Sequence, residues 1–300
     1  MSNPLAIFGI PNFAWDILAL VITFIVIFLL IKINDWLRVR EKIPLDISRK
    51  MVHTFMGPVY ILCWLLFSHD ALSRYFAAVV PVLFAIIFVA IGTGVIQRDE
   101  FVKTMSRSGE AQELLFGSFL YSLVLVWLTI ACWFVPVTLP TAANPLVSPT
   151  GEPVYAQFVP TAILVIAPLA GGDGFADIIG RKWGKRKYKI FAEKSIEGSL
   201  AMFIFSFVFS YVILGIYWLI YNPLYPEAFS LLKLLVPILI ISLVATVVEA
   251  CSPKNFDNLL VPAFIFVTIW GLQMLYYWEL FNALPLWINY PWKIWTFTPV

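Results

Sequence analysis

The chain has 300 residues, of which 61% are hydrophobic, 17% aromatic and only 13% charged. A soluble globular domain carries about twice that charged fraction, so the composition excludes an ordinary soluble fold. The net charge of +2 says little by itself, and the three scattered cysteines form no CxxC pair and no disulfide framework. We therefore predict an all-α, polytopic transmembrane bundle in which residues 1–300 form a single domain, with the lipid bilayer but no nucleic acid as a partner.

Eight apolar stretches are candidates to cross a bilayer as helices, which takes about 20 residues each. The second and fifth are short and contain prolines, so a tilted, kinked or re-entrant course is an alternative for these two. The first carries its positive charge after the apolar run, which favours a retained span over a cleaved signal peptide. The predicted spans are residues 15–33, 52–68, 74–95, 114–135, 157–171, 199–220, 231–250 and 258–281.

The basic residues predict the orientation of these spans. If the N-terminus is outside the cytoplasm, every Lys and Arg except Arg74, Lys233 and Lys293 falls on the cytoplasmic side. The positive-inside bias therefore favours eight spans with both termini non-cytoplasmic. The loop 136–156, on the opposite side, contains no Lys or Arg. The tail 282–300 is rich in Trp and Tyr, so we expect it to lie at the level of the lipid headgroups.

The first polar motif opens the second span and reads Arg49-Lys50-x-x-His53-x-x-x-Gly57. On a helix, Arg49 and His53 share one face because they are four residues apart. The basic pair is either an anchor for lipid phosphates or a clamp on the phosphates of a nucleotide. His53 is either a site residue or a helix-packing residue. Glu113, at the start of the fourth span, is either a solvated N-terminal carboxylate or a member of the same site.

The densest group of Gly, Asp, Lys and Arg residues runs from Gly171 to Gly198, where we predict that the fifth span ends. Gly172 and Gly174 would let a loop turn tightly and approach a ligand closely. Asp173 and Asp177 face the same way if the segment is helical. Two carboxylates beside glycines and a lysine suit Mg²⁺ bound to a triphosphate. A helix cap is the alternative for Asp173, but it does not explain two carboxylates where a hydrophobic span ends.

The sixth span opens with Lys194-Ser195-x-Glu197-Gly198. Lys194 and Glu197 are three residues apart, so they are placed either to pair with each other or to contact a metal-bound phosphate. The basic run 185–187 before this motif is typical of a face that contacts anionic lipid.

Gly180-x-x-x-Gly184-Lys185 is one residue short of a Walker A motif and lacks its Ser or Thr, so no P-loop is predicted.

Two further carboxylates flank the loop between the last two spans. Glu249 ends the seventh span, and Asp257-Asn258 begins the eighth. An N-cap is one interpretation of Asp257 and Asn258, and completion of a metal site is the other. All four polar clusters are predicted on the cytoplasmic face of the membrane, and a single composite active site requires them to share one face.

These residues resemble the family of CTP-dependent lipid-alcohol kinases, which includes dolichol kinase, phytol kinase and the CTP-using diacylglycerol kinase. The family pattern reads D-x-x-A-x-x-x-G-x-x-x-G, then eight residues, then K-K-T-x-E-G. The chain departs from it with Glu193 for the first Lys and Ser195 for the Thr, which keeps the hydroxyl. The resemblance covers about residues 49–262 and includes the Arg49 and Glu249 motifs. The central pattern is matched at Asp173, Ala176, Gly180, Gly184, Lys194, Glu197 and Gly198.

The resemblance implies transfer of the γ-phosphoryl group of CTP to the hydroxyl of a membrane isoprenoid alcohol, giving an alkyl phosphate and CDP. The expected alcohols are phytol, geranylgeraniol, farnesol or a polyprenol. The alternatives are a CTP-dependent diacylglycerol kinase, a CTP:lipid cytidylyltransferase and a non-enzymatic transporter. The charges disfavour the transporter, because none lies in the middle of a span. Loop chemistry alone does not distinguish CTP from ATP.

This hypothesis assigns roles to individual residues. The catalytic residues are Asp173, Asp177 and Lys194. The nucleotide-binding residues are Arg49, Lys50, His53, Gly172, Gly174, Gly180, Gly184, Lys194, Ser195, Glu197 and Gly198. The Mg²⁺ ligands are drawn from Asp173, Asp177, Glu197, Glu249 and Asp257. The further site residues are Glu113 and Asn258.

Overall fold

A computed structural model shows a helical bundle and confirms the all-α class. The loop 136–156 and the tail 282–300, for which we made predictions, lie outside the residues that the structure describes. The described residues are 10–40, 43–68, 72–97, 101–102, 105–106, 110–133, 160–221, 231–253 and 256–277.

The N-terminal half contributes five of the helices that we describe. Their bounds are α1 Asn12–Val39, α2 Leu45–Cys63, α3 Ser73–Gly92, α4 Glu113–Phe116 and α5 Ser118–Ala131. A short 3₁₀ turn, Trp64–Leu66, follows α2 directly. In this half α3 packs along α5, and α1 packs against both α2 and α3.

The C-terminal half adds five helices and a small hairpin. The helices are α6 Thr161–Ile166, α7 Asp173–Trp183, α8 Ile196–Tyr221, α9 Leu231–Cys251 and α10 Asp257–Tyr277. The antiparallel strands β1 Lys187–Lys189 and β2 Glu193–Ser195 join α7 to α8. They are the only strands in the described part of the chain.

Each of the eight predicted spans corresponds to a helical segment, but not every segment is long and apolar enough to cross a membrane. Within the described residues, six helices are long and apolar enough to span a membrane. The helix α2 is not among these six, because charged residues occupy its first turns. The helix α10 is not among them either, because its apolar part, Asp257–Leu272, is shorter than a full crossing. The count of eight crossings, and the side of the membrane on which each end lies, stay predictions.

Residues 171–183 of the glycine-rich stretch are helical, so the predicted loop after Gly171 and the predicted end of the fifth span at residue 171 are wrong. A π-helical segment, Ala167–Gly172, joins α6 to α7 without a break, and residues 160–174 are all buried. The glycines are needed here for close packing. A Cβ on Gly172 would lie 2.8 Å from Met202 Sδ on α8, and one on Gly171 would overlap the ring of Phe209. Small residues at such contacts let two helix backbones approach each other.

Glycines also allow the first turn of α8 to pack closely against α7. A Cβ on Gly198 would lie 3.0 Å from the carbonyl oxygen of Ala176 and 3.2 Å from Cα of Gly180. The Oγ atom of Ser195 accepts a hydrogen bond from the backbone N–H of Gly198 at 3.1 Å, which caps the start of α8. The first turn of α8 is therefore held directly against α7.

A buried carboxylate joins helices near the N-terminal end of α1. Asp16 accepts hydrogen bonds from the backbone N–H of Ser68 at 2.7 Å and from the hydroxyl of Ser73 at 2.7 Å. The Ser68 hydroxyl donates a third bond at 3.0 Å. These donors satisfy a charge that would otherwise be costly among apolar helices, so we read Asp16 as a structural residue.

We expect Gly198→Ala to lower the free energy of unfolding by about 1–3 kcal/mol, because the new methyl group meets backbone atoms that have little room to move. The matched control is Gly215→Ala in the same helix, where a Cβ meets nothing within 4 Å. That change should be neutral or stabilising by up to about 1 kcal/mol. Thermal unfolding of the purified variants in detergent checks the difference, and equal melting temperatures would contradict this packing.

Candidate functional site

The centre of the candidate site is an ion pair between α2 and α7. Lys50 Nζ donates to Asp173 Oδ2 at 2.8 Å, and the two side chains are only 4% and 6% exposed. Burying two charges costs several kcal/mol per ion, so the pair persists only with close geometry and further polar partners. The contact fixes α2 against α7 at one end of the bundle.

Asp177 lies one turn after Asp173 and faces the same cations, as the spacing predicts. Its Oδ2 atom is 3.7 Å from Lys50 Nζ and 3.8 Å from Arg49 Nη2. Its Oδ1 atom accepts a hydrogen bond from Arg181 Nε at 2.8 Å. One lysine therefore lies between two carboxylates, with two arginines at the outer edge.

His53 completes the α2 face of this cluster. Its Nε2 atom is 3.6 Å from Asp173 Oδ2 and has no hydrogen-bond partner among the residues that the structure describes. Its ring packs on Tyr121 of α5, with ring centroids 4.4 Å apart. The imidazole is therefore held in place with one nitrogen available beside the carboxylate.

A second ion pair joins the hairpin to α9. Lys194 of β2 donates to Oε1 of Glu249, whose side chain is 5% exposed. Burial opposes the charge on Lys194, but the Glu249 carboxylate overcomes it and raises the pKa of Lys194 above its ordinary value. Pairing with Glu197, which the spacing offered, does not occur. Glu197 instead accepts the backbone N–H of Arg186 at 3.3 Å.

A pocket opens beside these charges, and we call it the polar pocket. Its volume is about 790 Å³, including space open to solvent. The Asp257 carboxylate, at the start of α10, lies within electrostatic reach of Asp173, Lys50 and Lys194. The predicted site residues in the pocket wall are Arg49, Lys50, His53, Glu113, Asp173, Asp257 and Asn258.

The predicted nucleotide-binding glycines of α7 and its end lie at packing contacts, either with α2 or with strand β2. A Cβ on Gly174 would lie 2.9 Å from Cβ of Thr54, and one on Gly180 would lie 3.0 Å from Oγ of Ser195. A Cβ on Gly184 would lie 2.7 Å from Cβ of Ser195. Close packing accounts for these positions, and contact of their backbone with a nucleotide stays a prediction.

The carboxylates fit a metal that is shared with phosphate. In the described ranges, no three His, Cys, Asp or Glu side chains converge to hold an ion by themselves. Mg²⁺ does not need such a cage, because one or two carboxylates and the substrate phosphates usually hold it. Asp173 and Asp177 suit this role, since one cation, the Lys50 ammonium, already lies within 3.7 Å of both.

Sequence reasoning missed two residues that shape the site. Tyr121 supports His53, and Arg181 holds Asp177. Tyr121 lies within an apolar span in which no motif or spacing distinguishes it from its neighbours. Arg181 stands four residues after Asp177, so the helical spacing would have revealed this pair.

The sequence is similar to plant enzymes. It is 32% identical over 238 residues to "Probable phytol kinase, chloroplastic" of Zea mays, covering 78% of this chain and 69% of that protein. It is 31% identical over 225 residues to "Phytol kinase 1, chloroplastic" of Arabidopsis thaliana, covering 74% of this chain and 65% of the relative. It is 36% identical over 154 residues to "Farnesol kinase, chloroplastic" of the same plant, covering 51% and 43%.

The chain thus spans just over two thirds of the maize protein and less than two thirds of each Arabidopsis protein. No family model matches it. No solved structure matches it either.

We expect Asp173→Leu to lower the free energy of unfolding by about 3–5 kcal/mol, because it leaves the Lys50 ammonium buried without its closest partner. The double variant Lys50→Met/Asp173→Leu should be more stable than this single variant, since no buried charge is left behind. Thermal unfolding in detergent compares the two. As a control, Asp177→Leu should cost less, because Asp177 is 20% exposed. Additive losses in the double variant would contradict the pairing.

Proposed function

Because the chain belongs to the phytol kinase family, we propose that it is a membrane-embedded kinase that transfers the γ-phosphoryl group of CTP to the hydroxyl of a prenyl alcohol. The products would be the alkyl phosphate and CDP. The names of the relatives, phytol kinase and farnesol kinase, support an isoprenoid alcohol as the acceptor.

One observation carries the proposal: two carboxylates share one buried lysine at a pocket among apolar helices. Phosphoryl transfer needs groups that neutralise phosphate charge and groups that hold the metal ion, and it needs no covalent protein intermediate. The cluster supplies both kinds of group. Its position among apolar helices suits a substrate that is dissolved in the bilayer.

The mechanism that we propose is in-line transfer by positioning and electrostatics. Arg49, Lys50 and Lys194 would neutralise the phosphate oxygens. Asp173 and Asp177 would hold Mg²⁺, which supplies further charge neutralisation when it is bound. The alcohol hydroxyl would lie beside Asp173 in the polar pocket, and a carboxylate oxygen of Asp173 or Asp177 that is not bound to the metal ion would accept its proton.

The charged groups of the site suit phosphates, but they do not distinguish one nucleotide base from another. The choice of CTP as the donor therefore rests on the resemblance of the motif that begins at Asp173. The activity test uses purified protein in lipid nanodiscs with CTP or ATP labelled on the γ-phosphate. The acceptors are farnesol, geranylgeraniol, phytol and diacylglycerol. Labelled alkyl phosphate and CDP are expected with a prenyl alcohol. Release of pyrophosphate, or labelling of diacylglycerol alone, would contradict the proposal.

We expect Asp177→Asn to lower kcat by about 100-fold or more, since it removes a carboxylate that would hold the Mg²⁺ ion. The variant should remain folded and inserted, because Asp177 is partly exposed. The matched control is Asp35→Asn on α1, which removes a carboxylate that pairs with Arg38 outside the cluster. The assay is the same nanodisc reaction. Unchanged turnover in Asp177→Asn would remove that residue from the site.

A further inference from the structure

The hairpin between α7 and α8 exposes two large apolar side chains at its tip. Residues 185–195, which we call the basic hairpin, contain β1, β2 and the bend between them. In this bend Ile190 is 53% exposed and Phe191 is 68% exposed. Two adjacent apolar side chains make only a small patch, so the position of the hairpin in the molecule decides what covers them.

Both ends of the basic hairpin lie where lipid-facing helices begin or end. It joins two segments that are long and apolar enough to cross a membrane, Thr161–Trp183 and Ile196–Ile220. Trp183, the last residue of α7, is 53% exposed, and an exposed Trp at a helix end is typical of the membrane–water interface. Exposed apolar residues follow α8 from its first residue at a spacing of four: Ile196, Leu200, Ile204, Val208 and Val212.

Hydrogen bonds hold the basic hairpin against the first turn of α8. The hydroxyls of Tyr188 on β1 and Ser199 on α8 share a hydrogen bond at 2.5 Å. The backbone N–H of Ile196 donates to the carbonyl oxygen of Arg186 at 3.0 Å. Ile190 is only two residues beyond Tyr188, which is about 7 Å of extended strand. The tip therefore stays close to the level at which α8 becomes lipid-facing.

Basic side chains surround the apolar tip. Residues 185–192 include no Asp or Glu, and their four basic residues are all exposed: Lys185, Arg186, Lys187 and Lys189. Each cation near an anionic lipid surface contributes about 1 kcal/mol of attraction. Long basic side chains can also reach the headgroups while their stems lie along apolar surface. The tip is therefore complementary to a surface of anionic headgroups above hydrocarbon.

We propose that the basic hairpin binds the membrane surface. Ile190 and Phe191 enter the boundary between headgroups and acyl chains, and the four basic side chains contact the phosphates of anionic lipids. Amphipathic segments in the interface bury their apolar side by about 5–10 Å, which two side chains at a tip can reach. This contact goes beyond the proposed function, because none of these residues lines the polar pocket.

The membrane contact has a consequence for the candidate site. Lys194 stands opposite Tyr188 in the hairpin and pairs with Glu249 of α9. A hairpin that the bilayer holds in place therefore also holds Lys194 in place. Only this consequence rests on the proposed function, in which Lys194 neutralises phosphate charge.

The first test measures the depth of the tip without using activity. Cys251 is exposed and the other two cysteines are buried, so Phe191→Cys is labelled with an environment-sensitive fluorophore in a Cys251→Ser background. In nanodiscs that contain phosphatidylglycerol, lipids with a nitroxide on the acyl chain should quench this probe, and iodide should not. The matched control is the same probe on Glu193→Cys, an exposed acidic position of the same hairpin, where nitroxide quenching should be weaker. Equal quenching at both positions, or quenching of the probe at position 191 by iodide alone, would overturn the proposal.

Charge variants test the requirement for anionic lipid. The double variant Lys187→Gln/Lys189→Gln should lower nitroxide quenching at position 191 about 2-fold or more, and added salt should lower it as well. The matched control, Lys32→Gln/Arg40→Gln, removes two exposed cations from α1 and should leave the quenching unchanged. The same quenching in both double variants would contradict a role for the hairpin cations.

The second test measures turnover. In nanodiscs with phosphatidylglycerol, Phe191→Ser should lower kcat about 3-fold or more, since a displaced Lys194 neutralises phosphate charge less well. Phe191→Trp should retain turnover, because Trp suits the interface. Both variants should keep the melting temperature of the unsubstituted protein, since Phe191 is mostly exposed.

The outcomes separate the two proposals. If the protein phosphorylates no alcohol, the proposed function fails, and the quenching measurements still decide whether the hairpin binds the membrane. If the probe at position 191 is quenched but Phe191→Ser keeps full turnover, the membrane contact is confirmed and its consequence for Lys194 is wrong.

Discussion

The pairing of Lys50 with Asp173 is the constraint on which the rest of the site depends. A charge surrounded by apolar helices is tolerable only beside its opposite, so the lysine and the aspartate must be brought together before either can be buried. Because the two residues belong to α2 and α7, their contact sets the relative position of these helices. The same contact also positions His53 and Asp177, since each lies one turn or less from a member of the pair.

The second pair, Lys194 with Glu249, extends the same logic to the hairpin and α9. Asp257 lies within electrostatic reach of both pairs, so the cluster combines several charges of both signs rather than an isolated cation or carboxylate. On the proposed function, a metal-bound triphosphate would enter as a further set of charges and share these partners. Such a site needs little rearrangement of the backbone, because the helices and the hairpin already hold each charged group in position.

The sequence predicted what depends on local spacing and length. Apolar runs of about 20 residues located the helices, and the spacing of four predicted that Asp173 and Asp177 share a face. The sequence did not predict contacts between residues that are far apart in the chain. The partner of Lys194 stands 55 positions away, and no local pattern prefers Glu249 over the nearer Glu197. The glycine-rich stretch was misjudged for a related reason: glycine serves a tight turn and a close helix contact equally well, and only the neighbouring helix distinguishes them.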